Sequence, residues 1–403
     1  MNEDRFGLTR RVRSLSGLLV LSALLAGAAG CSKPEPPAAP PPPPTPQEQS
    51  KNTVSKAAFG TLPDGTAVDL YTLVNANGME VRATNLGGIV TALLVPDGTG
   101  KVGDVVLGMS SFDGYLKNSP YFGAIIGRYG NRIGKARFKI DDQTYKLPAN
   151  DGPNTLHGGV KGFDKVVWQA EPFEKEDSVG VTFTYTSKDG EEGFPGNLQT
   201  RVTYTLTDKN ELSFEYHATT DKPTVVNLTQ HTYFNLAGEG NGDVLGHQVI
   251  IYADQYTPTD ARLIPTGKLE DVTNTPFDFR MRHAIGERIT ADHEQIKRGN
   301  GYDHNFVLKR KEPGLSLAAV VAEASTRRVM EVRTTEPGVQ FYTGNFLDGS
   351  ITGKAGKPYG KNAGFCLETQ HYPDSPNQPE FPSTVLRPGE EYKSQTVYTF
   401  SVR

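Results

Sequence analysis

The sequence predicts an all-β protein, a large antiparallel β-sandwich with few short helices. Three observations carry that prediction. Apolar residues recur at every second position through the middle of the chain. The 403 residues include 43 Gly and 28 Pro, enough punctuation for many turns between short strands. Helical periodicity is scarce, its best stretch running only from Met281 to Ile289.

The chain opens with Arg5, Arg10, Arg11 and Arg13 ahead of an apolar run, Leu15 to Ala29, too short for a good spanning helix and ending in small residues. Residues 1–30 therefore read as a bacterial signal peptide. Ala28-Ala29-Gly30-Cys31 resembles a lipobox, which would make Cys31 the lipid-modified first residue after cleavage. Ala26-Gly27-Ala28 could alternatively serve as a plain secretory cleavage site, and Thr9-Arg10-Arg11 hints at twin-arginine export. Residues 31–56 follow as a spacer in which Pro34 to Pro46 is nearly all Pro and Ala. At about 3.1 Å per residue that stretch reaches roughly 40 Å. The expected location is the cell envelope, with a lipid anchor as the only membrane contact and the domain facing the periplasm or exterior. Which membrane holds the lipid stays open.

Residues 57–403 show no second linker and no internal repeat, so they read as one domain of two packed sheets. Phe138 and Ile140, then Tyr145 and Leu147, flank Asp141-Asp142 as a hairpin. Val179, Val181, Phe183 and Tyr185 alternate with polar residues, as do Val202, Tyr204 and Leu206, then Leu212, Phe214 and Tyr216. Turn-rich segments join these runs into an antiparallel meander with one buried face. Tyr398, Phe400 and Val402 make a C-terminal strand.

Composition excludes several functions. A formal net charge of −4 gives no basic surface for nucleic acid, and removing a leader with four Arg against Glu3 and Asp4 takes it to −6. Cys31 and Cys366 are too few for a disulfide framework. There is no phosphate-binding loop, no Gly-x-Ser-x-Gly elbow, and no metal-ligand spacing among the eight His, so no metal is expected.

Polar residues in glycine-rich or strand-end settings stand out instead. They occur in Gly127-Arg128-Tyr129-Gly130-Asn131-Arg132-Ile133, Asn154-Thr155-Leu156-His157-Gly158-Gly159 and Asn227-Leu228-Thr229-Gln230-His231-Thr232-Tyr233-Phe234-Asn235-Leu236. Further along come Gly301-Tyr302-Asp303-His304-Asn305-Phe306, Gly338-Val339-Gln340-Phe341-Tyr342 and Gly364-Phe365-Cys366-Leu367-Glu368-Thr369-Gln370-His371-Tyr372-Pro373-Asp374. Each admits a plain reading. Arg128 and Arg132 could form surface ion pairs. His157 and His231 could be hydrogen-bonded structural residues, Asp303 a turn or cap, and Gln340 a solvent-facing strand amide. Glu368 resists such a reading, because a carboxylate after Phe365-Cys366-Leu367 is costly to bury without a purpose.

Taken together and in this order, the segments resemble aldose 1-epimerases, the galactose mutarotases, over most of residues 57–403. The Asn-x-Leu-His-Gly-Gly, His-Thr-Tyr-Phe-Asn-Leu and Leu-Glu-Thr-Gln segments carry most of the specificity. The resemblance implies a large β-sandwich of the galactose mutarotase type, no cofactor, and a free aldose such as glucose or galactose as substrate. It also implies roles: Glu368 as general base, His231 as general acid, and Asn131, Arg132, His157, Asp303 and Gln340 as sugar-binding residues. Anomers interconvert by ring opening, which takes a proton from the anomeric hydroxyl and gives one to the ring oxygen, so one base and one acid must flank the same bond. Three other readings stay open: a hexose-phosphate epimerase in which Arg128 or Arg132 grips phosphate, a polysaccharide-processing enzyme on a related sandwich, and a surface sugar-binding module without activity. The oligomeric state is expected to be monomer or homodimer.

Overall fold

Alternation becomes sheet first in the meander. Ser178–Ser187, Leu198–Thr207 and Glu211–Thr220 pair antiparallel in sequence, with Val181, Phe183, Val202, Tyr204 and Phe214 turned to the core. The hairpin forms as Arg137–Ile140 and Gln143–Lys146, and the C-terminal strand as Tyr392–Val402. These elements belong to a computed structural model that describes residues 51–310 and 314–403. The expected leader, Cys31 and the proline-rich stretch lie outside the described residues.

Three larger antiparallel sheets make the architecture. The first runs in simple order through Thr53–Thr61, Ala67–Val74, Glu80–Thr84, Val90–Pro96 and Val102–Asp104. The second has nine strands, and the C-terminal strand sits near its middle, between Glu211–Thr220 and Arg328–Thr334. The third has five strands, ending Asp303–Leu308, Gly338–Tyr342, Cys366–Gln370. One hydrophobic cluster draws on all three, with Leu73 and Val81 from the first, Phe183 and Tyr398 from the second, and Phe341 and Leu367 from the third. An edge-to-face contact from Tyr71 to Phe183 at 6.3 Å joins the first sheet to the second, and Tyr398 Oη donates to Leu367 O at 3.0 Å to join the second to the third.

Two expectations need correcting. Thr53–Lys56, placed in the spacer, pair with Tyr71–Val74 and so begin the first strand. Met281–Ile289 forms no α-helix. His283–Ala284 pairs with Gln248–Val249, and Ile285–Glu287 makes one 3₁₀ turn that buries Ile285. Sheet pairing there outweighs a helical period carried by a few residues. Among the described residues the α-helices are Phe112–Asn118 and Glu294–Gly299, both short.

Candidate active site

The third sheet positions the acidic groups. Cys366–Gln370 is buried on both faces, and Glu368 pairs in register with Gln340, which pairs in turn with Asn305. Same-row residues on neighbouring strands project to one face, so the three polar side chains form a row across the sheet. Asp303 opens its strand beside this row. Gln340 Nε2 donates to Asp303 Oδ1 at 2.7 Å.

Two loops place the remaining groups. Asn131 takes a left-handed φ of 61° just before the short strand Arg132–Ile133, which pairs with Thr155–Leu156. His157 follows that second strand, also left-handed at φ 51°, and the turn continues through Gly158 at φ 86° and Gly159 at φ 111°. Glycine is required at Gly158, because a Cβ there would lie 1.9 Å from Gly127 O. The Asn131 and His157 backbones then lock together. His157 N–H donates to Asn131 O at 3.0 Å, and Asn131 N–H donates to His157 Nδ1 at 3.2 Å. His231 comes from the segment after Thr229–Gln230, fixed by its own N–H to Ala124 O and its carbonyl to Gly123 N–H, both 3.0 Å.

These elements converge on a cavity of about 170 Å³ lined by Asn131, Arg132, His157, His231, Asp303 and Glu368. Six of the seven predicted site residues thus line one cavity. The seventh, Gln340, lies behind Asp303 and is 3% exposed, which overturns the solvent-facing reading. Larger concavities exist, such as one of about 780 Å³ on the nine-stranded sheet, where Thr side chains are joined by Glu171, Arg201, Glu215, His217 and Lys393. Those acids are exposed and the imidazole half-buried, unlike the buried cluster of the smaller cavity, which is therefore the candidate site.

His231 Nε2 stands 3.6 Å from Glu368 Oε1, both side chains almost fully buried. Burial raises the Glu368 carboxyl well above its ordinary range, with Asp303 adding to the effect and Arg132 opposing it. Burial also pushes His231 down to about 4. The contact is too long for a strong ion pair, and burial favours the uncharged form of both partners. We therefore read it as a neutral carboxyl and a neutral imidazole sharing one proton. Glu368 Oε2 is buried and has no hydrogen-bond partner in the protein, which leaves it an unused acceptor. Across the cavity Arg132 donates from Nε to Asp151 Oδ2 at 2.8 Å and approaches Asp303 Oδ2 at 3.9 Å. Burial raises Asp303 as well, against the pull of Arg132.

His157, His231 and Glu368 also bring three potential metal donors within 4.8 Å of one another, a grouping that linear spacing does not reveal. The donor chemistry does not fit a metal. His157 Nδ1 already accepts the Asn131 N–H, so the proton of the neutral ring sits on Nε2, and the face toward the cavity is an N–H donor.

Arg128 departs from every reading offered for it. It is 2% exposed and donates to Ser187 Oγ, Ser187 O, Lys188 O and Pro195 O at 2.7 to 3.0 Å, a staple between loops. Four of five N–H donors are spent, which leaves it no grip for phosphate. Sequence reasoning missed the aromatic wall. Tyr121, at φ 65°, packs on His157 at 4.6 Å and His231 at 5.7 Å, Tyr233 stacks on His231 at 5.1 Å, and Tyr342 and Phe346 close the rim. The one available signal was the run of aromatic residues at Tyr121-Phe122 before Gly123, which reads equally well as core.

The family model described as Aldose 1-epimerase matches residues 69–399. The galactose mutarotase of Rattus norvegicus is 49% identical over 351 residues, covering 87% of this chain and 99% of its own length. The aldose 1-epimerase of Escherichia coli (strain K12) is 44% identical over 340 residues, covering 84% and 96%. Among solved structures, the galactose 1-epimerase from Lactobacillus acidophilus NCFM aligns with a TM-score of 0.77 at 29% identity, covering 87% of this chain and 99% of that one.

Proposed function

Because the chain belongs to the aldose 1-epimerase family, and is an isomerase that interconverts the anomers of aldose sugars, we propose that the Glu368–His231 pair carries the reaction. The observation behind this is the 3.6 Å approach of a buried carboxyl and a buried imidazole in a cavity sized for one small ring. Glu368 takes the proton of the anomeric hydroxyl as the bond from C1 to the ring oxygen breaks, and His231 Nε2 gives a proton to that oxygen. The new carbonyl rotates to offer its other face. The ring oxygen attacks C1 while returning its proton to His231, and Glu368 hands its proton to the exocyclic oxygen. Both groups end as they began, so the pair needs one proton in total and no outside reagent. Its charged state belongs to the closed ring and its neutral state to the open chain, which is the state burial favours. His157 Nε2–H, Arg132, Asn131 and Asp303 hold the hydroxyls, and Gln340 orients Asp303.

The test is polarimetry of freshly dissolved α-D-glucose and α-D-galactose with residues 51–403, beside Glu368→Gln and a control without protein. Glu368→Gln keeps the shape and loses the base, so turnover should fall by at least about 10²-fold. Rotation relaxing at the spontaneous rate on both sugars would reject glucose and galactose as substrates. Wild-type turnover in the variant would remove Glu368 from the mechanism.

The reading extends to location. Residues 1–30 act as a signal peptide, Cys31 carries the lipid, and the stretch to Pro46 holds the domain away from the bacterial envelope membrane it is anchored to. Support comes from the arginine-led apolar run, the Ala28-Ala29-Gly30-Cys31 sequence and the nearly all Pro and Ala composition of Pro34 to Pro46. Mass spectrometry of the mature N-terminus should find an acylated Cys31, and Cys31→Ser should release the protein from the membrane fraction. An unmodified N-terminus at Cys31 or beyond would replace the anchor with simple export.

A further inference from the structure

We propose that Cys366 is a positioning residue whose sulfur accepts the Nδ1–H of His231, so that the neutral imidazole keeps its Nε2 lone pair aimed at Glu368 and the sugar ring oxygen. The inference rests on the reading of His231 as the acid. Cys366 lies two residues before Glu368 on the same strand, is fully buried, and sets its Sγ 3.6 Å from His231 Nδ1. That distance suits a hydrogen bond involving sulfur.

The chemistry selects its direction. Once His231 has given its Nε2 proton to the ring oxygen, the remaining proton must sit on Nδ1, because closure of the ring requires Nε2 to take a proton back. A thiol that donated to Nδ1 would force the proton onto Nε2 and leave no base there. The other groups against the ring offer Nδ1 no alternative. Tyr121, Tyr233, Tyr342 and His157 meet it by ring contacts at 5.0 to 6.4 Å, Glu368 meets Nε2, and Asp303 and Arg132 stand farther across the cavity. Sulfur is a weak acceptor, which suits the task. A carboxylate at Nδ1 would also fix the tautomer, but it would stabilise the imidazolium and blunt the acid. The two imidazoles of the site are thus held in opposite tautomers, His157 as an Nε2–H donor by a backbone amide and His231 as an Nδ1–H ring by a thiol.

The experiment is ¹⁵N NMR of histidine-labelled residues 51–403 at pH 7, with His231 assigned by its loss in His231→Asn. Wild type should show His231 protonated on Nδ1. Cys366→Ala should move the proton toward Nε2 and lower kcat by about 5-fold, the worth of one modest hydrogen bond, with KM unchanged. Cys366→Ser, whose hydroxyl can accept the same hydrogen bond, should restore both. A wild-type His231 protonated on Nε2 overturns the proposal, and this reading stands even where Cys366→Ala fails to fold. Loss of turnover without a change of tautomer reduces Cys366 to a packing residue and overturns it too. Full turnover in His231→Asn would instead sink the acid assignment on which the inference rests, an outcome told apart from failure of the tautomer reading because the latter is read from the wild-type ¹⁵N spectrum.

Discussion

A proton shared between Glu368 and His231 fixes how activity should follow pH. His231 is held down to about 4 in the fold, below its ordinary value near 6.5, so it is uncharged at neutral pH and gains a proton only as the pH falls through about 4. There the pair would carry two protons and the base would be lost. Glu368 is raised, so the pair loses its single proton only above the ordinary carboxylate range. We expect kcat/KM to hold level on the acid side of neutrality and to drop near pH 4, and an acid limb centred near 6.5 would show that His231 is not buried as described. Gln340 acts one step back. Gln340→Leu removes the amide that holds Asp303 Oδ1, and should raise KM about tenfold, or about 1.4 kcal/mol, with a smaller effect on kcat, as expected when one buried hydrogen bond is lost. An unchanged KM would leave Gln340 a packing residue. At this scale Glu368 was legible because a lone carboxylate in an apolar run demands a reason. Tyr121 and Cys366 were not, since an aromatic ring and a buried thiol are ordinary core residues until the imidazoles beside them are in view.

Strands declare themselves when one face is wet. The meander of Ser178–Ser187, Leu198–Thr207 and Glu211–Thr220 alternates because its outer side chains meet solvent. Gly338–Tyr342 and Cys366–Gln370 are buried on both faces, so they show no period, and the row of Asn305, Gln340 and Glu368 across them comes from register alone. The apparent helix at Met281–Ile289 failed for a related reason, a pattern too short to outweigh pairing with the strand at Gln248–Ile251. Turns were legible as turns, but not as devices. The step through His157, Gly158 and Gly159 sets one imidazole against the cavity. Gly158→Ala would force a Cβ against Gly127 O in a left-handed conformation, so we expect a loss of more than about 2 kcal/mol and displacement of His157. Thermal melts and KM should register both effects, and a variant with wild-type values would mean that the turn relaxes freely.

Every described residue of the cavity lies between Pro120 and Glu368, yet the nine-stranded sheet that shares a core with the third sheet is joined across its middle by the chain's last strand. Tyr392–Val402 joins the meander to Arg328–Thr334 and buries Val397, Tyr398 and Phe400, while Tyr398 holds the carbonyl of Leu367, one residue before Glu368. Burial of three such side chains is worth about 1.5 to 3 kcal/mol each, and the strand's backbone pairing adds to it. A whole domain is stable by only about 5 to 15 kcal/mol, so loss of this one strand removes most or all of the margin. A chain ending at Arg387 should therefore lack a cooperative melt and epimerase activity. Removal of residues 1–50 deletes none of the described cavity residues and none of the described strands, and should leave the melting temperature and the polarimetric rate unchanged. The two truncations discriminate between architectures. If the fragment ending at Arg387 still melted cooperatively, the third sheet with its row of polar groups would be a separate folding unit, and site geometry would not depend on the order in which the nine-stranded sheet is assembled. If it does not, the contacts that close the sheet latest in sequence also fix Glu368, and no partly folded form of the chain can carry the activity.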